Sequence, residues 1–148
     1  MVKTILKGLL VVIGGWLAGS IAMSAAHAAT MLIWPLPDDL SFMDMFNPEK
    51  EEAVHAWIGS LPASAHFGAA VAHWIGTAAG AAVAMLIQGR TRMWPALTIG
   101  AIFLLGGIMN AVNLPTPGWF LPVDAIGYPI VAFLVGKKML RSGGVANA

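Results

Sequence analysis

Four long apolar runs, at about residues 8–34, 63–87, 93–112 and 119–136, dominate the chain, and crossing a hydrocarbon core takes about 20 such residues in helical form. In lipid a spanning segment must satisfy its own backbone polar groups, so runs of this kind are helices. The expected fold is an all-α membrane protein, one integral domain over residues 1–148 built as a bundle of four transmembrane helices. Composition agrees, because a chain that is 58% hydrophobic and 10% charged has too few polar residues to cover a soluble globule.

Charge placement orients the bundle. Lys3 and Lys7 precede the first run, Arg90 and Arg92 lie in the second connection, and Lys137, Lys138 and Arg141 follow the fourth run. The first connection, residues 35–62, instead carries Asp38, Asp39, Asp44, Glu49, Glu51 and Glu52 against a single Lys50. By the positive-inside rule both termini are expected in the cytoplasm of a bacterial cell, the domain in its inner membrane and the acidic loop outside. Eight basic residues against seven acidic ones leave no nucleic-acid footprint. The absence of cysteine excludes disulfides, thiolate metal sites, covalent c-type haem and a cysteine nucleophile.

The first run admits two readings. Lys3 and Lys7, an apolar stretch and then Ala26-His27-Ala28 have the layout of a secretory signal peptide, whose removal would discard His27. The apolar character nevertheless continues through Trp34, well beyond the roughly 7–15 residues of a signal-peptide core. Gly15 and Gly19, four apart, also make a small-residue stripe suited to close helix packing, so the segment is expected to be kept as a span.

Within the acidic loop, Asn47 as a cap, Pro48 at the first helical position and Glu49, Glu51 and Glu52 in the first turn predict a helix start. Val54, Trp57, Ile58 and Leu61 follow on one face, giving a short amphipathic helix at the outer interface. Of the tryptophans, Trp34, Trp57, Trp94 and Trp119 are interface anchors, while Trp74 lies well inside the second span. A short flexible tail, "SGGVANA", closes the chain.

Polar residues inside the spans are the candidates for function. His66 and His73 are seven apart and share one helix face, on which Gly76 and Gly80 form a second small-residue groove. Gly106, Gly107, Asn110 and Asn113 gather towards the outer end of the third span, and Asp124 and Tyr128 stand one turn apart in the fourth. Antiparallel stacking places His27, His66, Asn110 and Asp124 in the outer third, with His73 deeper. The glycines read as packing devices. Asp124 has two readings, a carboxylate capping its helix N-terminus or a titratable member of a buried cluster.

The stretches "AHWIGT", "IGAIFLLGG" and "LPTPGWF", followed by Asp124 and Tyr128, resemble a family of small bacterial four-span inner-membrane proteins. The resemblance covers about the last three spans. It implies the four-span fold but no catalytic residue, since no activity attaches to that family.

The sequence contains no HExxH, nucleophile elbow, phosphate loop or dinucleotide glycine pattern, so no enzymatic activity is expected. The leading expectation is a non-catalytic accessory or scaffolding subunit that packs, within the lipid bilayer, against other membrane subunits or copies of itself. One alternative is a small proton, cation or solute carrier using His27, His66, His73, Asn110, Asp124 and Tyr128. The other is a redox subunit with a b-type haem or metal ion held by histidines from two helices; no cofactor is required by the leading expectation.

Overall fold

The computed structural model describes residues 2–144, among which every regular element is helical and none is a strand. Helix α1 spans Val2–Met31, α2 Glu51–Ser60, α3 Ala63–Gln88, α4 Trp94–Asn113 and α5 Phe120–Gly144. All but α2 are long and apolar enough to cross a membrane, so this is a multi-pass membrane protein with a four-helix bundle. Residues 145–148 of the expected tail, and the side chain of Arg141, lie outside the described residues.

Helix α3 is the spine: α1, α4 and α5 all pack against it, whereas α1 and α5 do not touch. Two reciprocal glycine pairs bring α1 and α3 together antiparallel. A Cβ on Gly80 would stand 2.6 Å from the Gly15 carbonyl oxygen, and one on Gly76 would stand 2.8 Å from that of Gly19. Only a residue without Cβ allows this approach, and in lipid, where burial of apolar area gives no net drive between helices, such close packing is a principal source of association. Helix α4 then wedges against both: Ile99 Cδ1 would lie 2.8 Å from a Cβ on Gly15, and Phe103 Cε2 2.6 Å from one on Gly19. Helix α5 returns along α4, its Ala132 methyl seated against Gly100.

These contacts put the start of α1, the end of α3, the start of α4 and the end of α5 at one end. Lys3, Lys7, Arg90, Arg92, Lys137 and Lys138 therefore share that basic end, where the Lys7 ammonium donates to the Gln88 carbonyl at 3.2 Å. The outward faces of the spans carry large apolar side chains, among them Ile5, Leu9, Ile13, Ile21, Leu105, Ile126 and Phe133, as a lipid solvent requires.

The opposite end carries residues 32–62, whose short helical elements pack on one another. Asn47 accepts from the Glu49 amide at 3.0 Å, as expected of a cap, but the turn that it starts at Pro48–Lys50 is 3₁₀ and leads into α2 one step later. Just upstream, the Asp44 carboxylate accepts from the Ser41 amide at 2.7 Å and from the Ser41 hydroxyl at 2.8 Å. Those two donors hold the Asp44 carboxyl below its ordinary value of 3.8. A depressed acid contributes order above its unfolded pKa and loses it as pH falls through the folded one. The 41–44 turn should thus be intact at neutral pH and open under acid below the ordinary carboxylate range, with the Ser41 amide resonance of wild type, but not of Asp44→Asn, shifting in an NMR titration.

Candidate functional site

Asp124 is 1% exposed and Tyr128 1%, on a helix otherwise facing lipid on its outer side. Burying a carboxylate costs several kcal/mol (order of magnitude) unless donors and a counter-charge surround it, so its neighbours carry the chemistry. His73 Nδ1, from α3, lies 3.0 Å from Oδ1 and 2.9 Å from Oδ2. Tyr128, one turn further along α5, donates its hydroxyl to Oδ2 at 3.0 Å and stacks its ring beside that of His73. Which partner donates across this contact depends on the His73 tautomer; in the tautomer with hydrogen on Nδ1, that N–H donates to the carboxylate and Nε2 is the second ring nitrogen.

Each member is positioned by its own helix. The Thr77 hydroxyl donates to the His73 carbonyl at 2.9 Å, one turn deeper. Gly107 of α4 makes room for Tyr128: a Cβ there would collide with the phenol ring and hydroxyl. Trp74 lies against Gly127, which likewise has no space for a Cβ, and its indole N–H points at the Asp124 carbonyl at 3.4 Å. Gly127 is a site-shaping residue that sequence reasoning did not single out; its only signal was its position three residues beyond Asp124.

His27, four residues before the end of α1, meets His73 edge to face, with ring centroids 5.1 Å apart and planes at 67°. Side chains on a helix lean towards its N-terminus, so in these antiparallel helices His27 leans inward and His73 outward, and the rings converge from different levels. His66 is buried but packs on Phe120, at 6.0 Å between centroids, as His73 does at 6.3 Å. Among the described residues, no buried side-chain nitrogen or oxygen lacks a hydrogen-bond partner.

Three sequence expectations need correction. Asp124 is not a helix cap, because its carboxylate is spent on His73 and Tyr128. Asn110 does not join the cluster: it is exposed, and its carbonyl closes the end of α4 by accepting from the Leu114 amide at 2.9 Å. Gly106 is not a packing contact, since nothing lies within 4 Å of where its Cβ would be. The cause is common to the last two. At this end α4 turns only the Gly107 side inward, leaving Leu105, Met109 and Val112 exposed with them.

Below the cluster, towards the basic end, Val11, Ala84, Ile99 and Phe103 form a dry apolar layer. Towards the end that carries residues 32–62 stand His27, partly exposed, and His66. Among the described residues no three of His, Asp and Glu converge to hold a metal ion. The His27 and His73 rings touch, so as they stand no flat porphyrin fits between them. No family model, curated protein or solved structure matches this chain.

Proposed function

We propose that this protein is a small non-enzymatic proton carrier of the bacterial inner membrane, in which His73, Asp124 and Tyr128 form the buried relay that takes up a proton from one side and releases it to the other. The observation that carries the reading is the His73–Asp124 pair itself, a carboxylate removed from water inside a span and matched by one imidazole. Ionisable groups are expensive in lipid and persist there chiefly where charge must be held or passed on. His27 and His66 serve as the approach from the acidic-loop side, which the positive-inside rule makes the outside, with both termini in the cytoplasm. Tyr128 holds the carboxylate in place, so that the proton exchanges at Nε2 of His73.

The accessory-subunit reading rests on small size, little extramembrane mass and small-residue stripes; of these, Gly15, Gly19, Gly76 and Gly80 are taken up by contacts within the chain. They are not free to dock a second protein.

Reconstitution tests the proposal. Full-length protein in liposomes with an internal pH dye should pass protons down an imposed potential faster than empty vesicles. The variants His73→Gln and Asp124→Asn, with helical content checked by circular dichroism, should fall to the empty-vesicle leak. Flux equal to wild type in both would overturn the assignment.

A further inference from the structure

We propose that the groove between the α3–α4 turn and α5, at the basic end of the bundle, binds an anionic phospholipid. The groove has a volume of about 360 Å³ and is lined by Arg90, Val135, Lys138 and Met139. On α5 the spacing of 135, 138 and 139 puts the lysine and both apolar side chains on one face. Lys138 is 18 residues beyond Phe120, about 27 Å along a helix, which is close to the thickness of a hydrocarbon core. Its ammonium thus reaches the phosphate level of the leaflet while Val135 stays at acyl depth.

The other cation is held in place by the backbone. Arg90 is the one described residue other than glycine with a positive φ, 61°, a conformation that asparagine or glycine adopts at less cost. Its amide donates to the Met85 carbonyl at 2.9 Å, and the next residue is tied down as the Thr91 amide donates to the Gln88 side chain at 3.1 Å. The turn is fixed on both sides, so the guanidinium starts from a set position at the groove. Two cations at the rim above two apolar walls complement a phosphodiester joined to acyl chains, and not a free anion, for which the apolar walls offer nothing.

Competition for full-length protein in detergent, read by native mass spectrometry, tests this with equal amounts of phosphatidylglycerol and phosphatidylcholine. Two basic contacts predict a preference for phosphatidylglycerol of roughly thirtyfold. The double variant Arg90→Gln with Lys138→Gln should bring it to parity, whereas Lys3→Gln with Arg92→Gln, removing the same charge from the same end outside the groove, should keep it. An unchanged preference in the first variant, or equal loss in the second, would overturn the site. Release of the lipid by inorganic phosphate alone would overturn the lipid assignment in favour of a simple anion site.

Discussion

Asp124→Ala should unfold with a loss of about 3–5 kcal/mol relative to wild type, among the larger effects available to a single substitution in this chain. The pair at 2.9 Å is buried, so the variant leaves His73 Nδ1 without its partner and the Tyr128 hydroxyl without its acceptor. Asp124→Asn keeps an acceptor oxygen and should lose less. The informative comparison is the variant His73→Leu with Asp124→Leu and Tyr128→Phe, which leaves no buried hydroxyl orphaned. Exchanging both members of a buried pair for apolar groups of similar size is often neutral or stabilising, because neither desolvation cost remains. That variant should recover most of the stability and none of the proton flux. Denaturant titration followed by circular dichroism measures the first, and the liposome assay the second. A flux-competent variant of this kind would show that the pair carries no proton.

The spans could be read from sequence because hydrocarbon thickness leaves little choice: α3 begins at Ala63 as expected, and α4 lies within about a residue of its expected bounds. The close approach of α1 and α3 was likewise readable, since Gly15, Gly19, Gly76 and Gly80 repeat at four-residue spacing. What the sequence could not supply was the rotation of each helix about its axis. In a soluble helix the apolar stripe marks the buried side, but lipid is as apolar as a core, and α4 is apolar all round. Successive residues turn by about 100°, so Gly106 and Asn110 share one side while Gly107 looks out from another. Only the folded bundle reveals that the second side faces Tyr128. The same gap left Asp124 with two readings. From sequence Asp124 reads as near enough to the helix start to cap it, but α5 begins at Phe120 and its first turn holds no acid, and the rotation that aims the carboxylate at His73 leaves no trace in the spacing. Tyr128, one turn away, was the available clue, because capping alone gives that hydroxyl nothing to do.

Glycine to alanine substitutions should change sign between two positions of this protein. At Gly106, where nothing lies within 4 Å, the added methyl meets no neighbour, and the intrinsic preference of helices for alanine should stabilise by about 0.5–1 kcal/mol. At Gly80 the same methyl would stand 2.6 Å from the Gly15 carbonyl oxygen and 3.1 Å from Ile99 Cγ2. Backbone cannot rotate aside as a long side chain does, so α1 must move off α3, at a cost of about 1–3 kcal/mol. Thermal denaturation in one detergent, scored as the difference between the two variants, removes any common effect of the micelle. A functional consequence follows from the same displacement. His27 rides on α1 and meets His73 only because the glycines let the helices touch, so Gly80→Ala should also slow proton entry, while Gly106→Ala leaves it unchanged. Equal shifts of the same sign in both variants would show that the glycine pairs do not hold the helices together, and with them would go the route by which His27 reaches the buried pair.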